Sequence, residues 1–249
     1  MSRLVMKQPI IEMSPKLKAR IAGLLYLTVI VFGAFAELGV RARLVAPGDP
    51  AVTAQNIMAH QTLYRLGFAA EVFYLACNVP LTVIFYGLFK VVNQKVALLE
   101  AIFGLVSTAV EAVSLLAHYA PIVILGGASY LSAFTPTQLQ EASYVSLQLF
   151  EGGFAICLVF FAFDCFAMAY LIVNSTFFPR IIGVALAIEG VGYFINSFTL
   201  FLAPVLQTRI FPYFTVTALA EVSLALWLLV MGVNEPRWRE QARAAGLSA

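Results

Sequence analysis

Eight carboxylic acids stand inside apolar stretches of this chain: Glu37, Glu71, Glu100, Glu111, Glu151, Asp164, Glu189 and Glu221. Their spacing is ordered. Glu100, Ser107, Glu111, Ser114 and His118 follow one another at 7, 4, 3 and 4 residues. On an α-helix these intervals bring all five within about 60° of each other, one polar stripe on an otherwise apolar rod. Tyr64, Glu71, Tyr74, Asn78 and Thr82 share a second face. Tyr144, Gln148 and Glu151 form a third, and Glu189, Tyr193 and Asn196 a fourth. Shorter sets are Tyr26 with Glu37 and Thr217 with Glu221. Carboxylates in such surroundings bind protons or cations, and tyrosine ring faces add attraction for an organic cation. A central acid costs about 2.5–3.5 kcal/mol to insert, so five of them cost roughly 15 kcal/mol, comparable to the stability of a whole domain. Burial and mutual repulsion then favour a proton on some of them, with Arg65, His118 or a bound cation as partner for others. Glu37 and Arg41, four residues apart, suit a local ion pair.

The elements that position these residues are legible in the composition. The 249-residue chain is 61% hydrophobic and 11% charged, against about 25% charged in soluble domains. Its mean hydropathy is +0.91. Apolar segments near Ile21–Leu38, Leu66–Phe89, Val96–Leu125, Val145–Val173, Ile181–Leu206 and Phe211–Val233 are long enough to cross a bilayer as helices. The expected fold is all-α, six transmembrane helices with residues 1–20 before them and a basic tail at 234–249. Stripes facing lipid are costly, so they should face the bundle interior. By rise along each helix, Glu37, Glu71, Glu111, Glu151, Glu221 and His118 fall in the half carrying the long loops, and Glu100 and Glu189 in the other. Asp164 lies about 140° from Glu151 around its helix. Either it faces a different neighbour, or Gly152 and Gly153 bend the helix.

Charge sets the orientation. With the N-terminus inside, Arg3, Lys7, Lys16, Lys18, Arg20, Lys90, Lys95, Arg180, Arg237, Arg239 and Arg243 are cytoplasmic, and Arg41, Arg43 and Arg209 are outside. The positive-inside rule therefore puts both termini in the cytoplasm. "AFAE" at 34–37 has the small-residue pattern of a signal cleavage site. The long basic region before it, with Pro9 and Pro15, argues for an uncleaved span. Cys77, Cys157 and Cys165 all lie in spans and read as core residues rather than disulfides or zinc ligands. In the first long loop Pro47–Pro50 make a turn and 51–61 an amphipathic helix at the surface, carrying His60. In the third, Thr135, Pro136 and Gln138 compose a capping box. A weak repeat pairs "RIAGLLYL" with "RIIGVALA" and places Lys95 in the same position, so the spans read as three helical hairpins of one plan. The tail "EPRWREQARAAGLSA" reads as lying at the cytoplasmic headgroups or as solvated chain.

The stretch "KARIAGLLYL" (18–27), followed by "VRARLVAPGDPAVTAQNIMAHQTLYRLGFAAEV" (40–72), resembles a family of bacterial integral-membrane proteins defined only as a domain of unknown function. The resemblance implies a multi-pass protein of the bacterial inner membrane. It implies no reaction, substrate or cofactor, and transfers no site residue.

Three functions compete. The first is a protein that binds or transports a proton, a cation or a small organic cation in a carboxylate-rich cavity of the outer half. Its core would be Glu71, Glu111 and Glu221, with His118 at the rim and Glu37, Glu151, Tyr64, Tyr74, Asn78 and Ser114 around them. The second is a membrane-embedded metalloenzyme acting on a lipid or apolar substrate. Against it, no H-E-x-x-H and no Glu-x-x-His is present, and Glu111 and His118 lie two turns apart. The third is a structural or regulatory protein whose polar residues only fix the helices together. No nucleotide loop, nucleophile elbow or nucleic-acid patch is present. No cofactor is expected, and the partners are the lipid bilayer and a small cationic or apolar ligand. Reporter fusions at Asp49 and Phe134 should behave as external; an internal signal at either would overturn the six-span topology.

Overall fold

The computed structural model describes residues 13–206 and 219–247, and the described residues are helical and without strands. We number the helices α1 (Pro15–Leu44), α2 (Pro50–Ala59), α3 (Gln61–Phe89), α4 (Gln94–Ile124), α5 (Pro136–Asn174), α6 (Arg180–Leu202), α7 (Leu219–Val230) and α8 (Glu235–Ala244). Five of them, α1 and α3 to α6, are long and apolar enough to cross a membrane. The sixth expected span is α7, described from Leu219; its first part, with Thr217, lies outside the described residues, as do Arg3, Lys7 and Arg209.

The helices begin where polar caps allow. Ser14, Asp49, Asn93, Thr135 and Asn234 each accept from a backbone N–H of the first turn. This satisfies donors that have no partner within the helix. Thr135 and Gln138 form the reciprocal capping box that their spacing predicts. Because these caps lie beyond the apolar segments, α1 starts six residues before Ile21 and ends six after Leu38. Its last part, Phe35–Arg41, is wound as a π-helix. The wider turn rotates the downstream residues relative to a regular helix, and such turns recur at functional sites. The C-terminal end of α7 closes on Gly232, at φ +67°, whose N–H bonds to the Trp227 carbonyl at 3.0 Å. Glycine adopts this left-handed conformation without a Cβ penalty.

The long helices form a ring in chain order. α1 packs on α3, α3 on α4, α4 on α5, α5 on α6, and α7 returns to α1. α6 and α7 also touch, far less extensively than the pairs α1–α3 and α4–α5. The first two expected hairpins are therefore closely packed pairs, whereas α7 rests chiefly on α1. Outward-facing side chains are apolar: Val113 and Leu116 are 68% and 72% exposed on the helix whose Glu111 and His118 are 6% and 1% exposed. The stripes led by Glu71, Glu111 and Glu189 face inward, as the cost of a lipid-facing acid requires, whereas Gln148 and Glu151 of the third stripe, and Glu37, are exposed. α2 is half sunk into the bundle through Thr53, Ala54 and Ile57 and packs on α5. The tail is a helix, α8, bent 101° from α7. It docks through Trp238, whose indole N–H donates to the Leu88 carbonyl at 2.8 Å.

The α1–α7 contact depends on a missing side chain. A Cβ at Gly23 would lie 2.8 Å from the Leu229 Cα and collide with its backbone nitrogen, a backbone approach of the small-residue kind that packs helices in lipid. Gly23→Leu should destabilise the protein by about 1–3 kcal/mol or more, read as a lower melting temperature in detergent, while Gly87→Leu, which meets nothing, should leave it within a degree or two of wild type, about 0.5 kcal/mol.

Candidate functional site

Two groups of buried acids result from this packing. The first lies toward the α2 end. The π-helical turn of α1 carries Arg41 inward, leaving its side chain 14% exposed. Its guanidinium Nε donates to Glu37 at 2.8 Å, Nη2 pairs with the same carboxylate, and Nη1 donates to Glu71 Oε1 at 2.6 Å. The guanidinium carbon stands 4.6 Å over the Phe150 ring, a cation–π contact from α5. The other oxygen of Glu71, Oε2, lies 2.6 Å from His118 Nδ1 of α4. An ionised carboxylate only accepts, so this contact makes Nδ1 the protonated nitrogen. The imidazole stacks on Phe150 at 4.8 Å and meets the edge of Tyr64 at 5.0 Å. Tyr64, fully buried, donates its hydroxyl to the His118 carbonyl at 2.5 Å. His118 Nε2 is buried and has no hydrogen-bond partner.

Beneath this triad, Tyr74 donates its hydroxyl to Glu111, within electrostatic range of Glu71 and Arg41. The second oxygen of Glu111 accepts a weak bond from the Cys157 thiol at 3.7 Å, and Ser107 holds Cys157 through its carbonyl at 3.1 Å. Among the described residues Glu111 has no cationic partner.

The second group lies nearer the α8 end. Tyr193 places its hydroxyl 2.7 Å from Glu221 Oε1 and 3.3 Å from Glu189 Oε1, joining α6 to α7. Asp164 of α5 lies within electrostatic range of Glu221 and of Glu100 of α4. Asp164 reaches over Gly104, where a Cβ would stand 3.2 Å from its Oδ1. Glu100 Oε2, Asp164 Oδ1 and Glu189 Oε2 are buried without partners.

The expected residues therefore divide. Glu37, Glu71, Glu111, His118, Tyr64 and Tyr74 come together. Glu221 does not join them; it sits with Glu189, which rise along the helix assigns to the opposite half. The packing of α7 on α1 and against α6 brings it there, and residue counting does not carry that packing. His118 is 1% exposed, buried in the network rather than at a rim. Glu151 is exposed beside Arg41. Ser114 donates to the Val110 carbonyl at 2.8 Å, and Asn78 contributes its own carbonyl to Thr82 at 3.0 Å, so neither side chain points a bond at the carboxylates. Arg65 donates to Tyr119 instead of an acid. α5 is one continuous helix through Gly152 and Gly153, so Asp164 faces different neighbours from Glu151. Among the described residues no three His, Cys, Asp or Glu side chains are placed to hold a metal ion. Open depressions beside residues 58–66 and 203–206 are lined by none of these acids.

Sequence reasoning misses Arg41 as the central partner. The positive-inside count treats it as a loop charge, although its spacing from Glu37 predicts half of its role. Also missed are Cys157 as a donor and Glu100 with Asp164 as a buried pair.

Long helices with apolar outer faces and charges turned inward define a multi-pass membrane protein. The chain belongs to the family described as Domain of unknown function (DUF4386), whose model matches residues 21–232. No curated protein and no solved structure matches it.

Removing the cation of a buried pair leaves its carboxylate uncompensated. Arg41→Gln should destabilise by about 3–5 kcal/mol, and Arg41→Gln/Glu71→Gln by clearly less than the sum of the two single changes, a coupling measurable by thermal unfolding in detergent.

Proposed function

We propose that this chain binds protons at its buried carboxylate network and uses them to move a proton or small cation across the membrane. The carrying observation is the charge count around Glu71. Glu37, half exposed, and Glu71, fully buried, each contact Arg41, so two carboxylates share one guanidinium. The network is one positive charge short until His118 becomes an imidazolium, and its free nitrogen, Nε2, is buried without a partner. A proton taken up there balances the group, and one lost leaves an excess carboxylate in a low-dielectric interior, where charge interactions are strongest. Glu111, held by a phenol and a thiol but no cation, is a second proton position.

This packing supports a proton or small cation over an organic one. The cation–π position over Phe150 is filled by Arg41 itself, and the hydroxyls of Tyr64 and Tyr74 are bonded within the protein. The basic residues flanking the helices support an orientation with the α2 end outside and the α8 end in the cytoplasm, in a bacterial inner membrane. Acids at two depths support passage rather than a single bound charge.

The test is an imposed pH gradient across proteoliposomes loaded with a pH-sensitive dye. The wild-type chain should dissipate the gradient faster than protein-free vesicles. His118→Gln keeps a donor for Glu71 but cannot accept the proton, and should slow dissipation by about tenfold or more while remaining monodisperse. Glu111→Gln should act in the same direction. Wild-type rates in both variants, or a wild-type chain no faster than empty vesicles, would overturn the reading and leave the network as helix-fixing contacts.

A further inference from the structure

We infer that Glu189 and Glu221 form a separate proton-binding site at the α6–α7 contact, in which the two carboxyl groups share a single proton ordered by the Tyr193 hydroxyl. This site is independent of the network around Glu71.

One phenol hydroxyl stands between two acids here. The Tyr193 oxygen lies 2.7 Å from Glu221 Oε1 and 3.3 Å from Glu189 Oε1. A phenol has one hydrogen to donate. Given to Glu221, at the shorter distance, it leaves nothing for Glu189. The contact with Glu189 is then a hydrogen bond only if Glu189 carries a proton and donates it to the phenol oxygen. Glu189 is fully buried, and its Oε2 has no partner. A buried polar atom without a partner is costly, and more so when its group is charged.

Among the described residues, the groups that face the pair carry no positive charge. Tyr26 faces it from α1, Asp164 and Cys165 from α5, and Tyr193 from α6, with Glu100 of α4 beyond Asp164. Every one of these groups is an acid, a thiol or a phenol. Among the described residues no lysine, arginine or histidine bonds to either carboxylate. Two carboxylates held at one phenol oxygen in a low-dielectric interior repel each other, and one proton removes that repulsion, as in carboxylate pairs that titrate as a unit. Among the described residues, the α6–α7 contact that the pair occupies is less extensive than those between the other neighbouring long helices. The proton is thus part of what holds α7 to α6, and its loss sets two carboxylates against each other across that contact.

Infrared spectroscopy reads the proton directly, because a protonated carboxyl has a carbonyl stretch that an ionised one lacks and that shifts in heavy water. The full chain in lipid at neutral pH should show such a band. Glu189→Gln and Glu221→Gln should each remove about one carboxyl equivalent of it, and the double variant no more than either single one, as one shared proton requires. Tyr193→Phe keeps both acids, so the band should persist and move. It is the informative variant if a glutamine change does not fold. His118→Gln should leave the band alone, so failure of the Glu71 reading and failure of this one are separable. An unchanged spectrum in both glutamine variants overturns the inference. So does a double variant that loses twice the intensity of each single, or a band that Tyr193→Phe does not move.

Discussion

A carboxylate in the interior of a membrane bundle must find its partner within the chain, and the Glu71 carboxylate between Arg41 and His118 is where this constraint shapes the structure most. Glu71 is 1% exposed and uses both oxygens, one for a guanidinium and one for an imidazole. Those partners come from α1 and α4, so a single side chain of α3 ties three helices together. Water cannot replace either partner in hydrocarbon, where an unsatisfied polar group costs several kcal/mol. The surrounding features answer that demand. The π-helical turn brings Arg41 inward, Phe150 supports both the guanidinium and the imidazole, and Tyr64 fixes the backbone that carries His118.

The two acid groups meet the same constraint differently. Around Glu71 the acids are paired with a cation, and the one unfilled position is a basic nitrogen. Around Glu189 and Glu221 no cation is in contact among the described residues, and the only donors are phenols. Charge compensation therefore comes from a side chain in one place and from a proton in the other. Glu100 and Asp164 extend the second pattern toward the start of α4, again with buried oxygens that lack partners. A structural role alone is better served by amides and hydroxyls, which bond helices together without the cost of an ionisable group. That preference is the physical ground for reading these acids as proton-linked.

The α8 end is built on another principle. There the core is aromatic and aliphatic, with Phe85, Phe89, Phe177, Phe178 and Trp227 packed among Leu88, Leu171 and Leu228. Trp238 of the tail closes it by donating to the carbonyl of Leu88, and Gln241 bonds the turn between α5 and α6 through Thr176. The basic tail is thus joined to the bundle through specific contacts that its charge did not foretell.

Membership in the membrane class, the all-helical fold of five to six long apolar helices and the inward direction of the Glu71, Glu111 and Glu189 stripes were determined by the sequence. Apolar length and 3.6-residue periodicity are local properties, and a bilayer leaves few other ways to satisfy a backbone. The Glu37–Arg41 pair and the capping box at Thr135 were legible for the same reason, since four- and three-residue spacings specify contacts within one helix. Only the tertiary structure decided which stripe meets which. Sequence spacing placed Glu221 beside Glu71 and left Arg41 in a loop. The π-helical turn at Phe35–Arg41 and the close approach of α7 at Gly23 put Arg41 beside Glu71 and Glu221 beside Glu189 instead. Those outcomes depend on how helices pack against one another, which no single helix encodes.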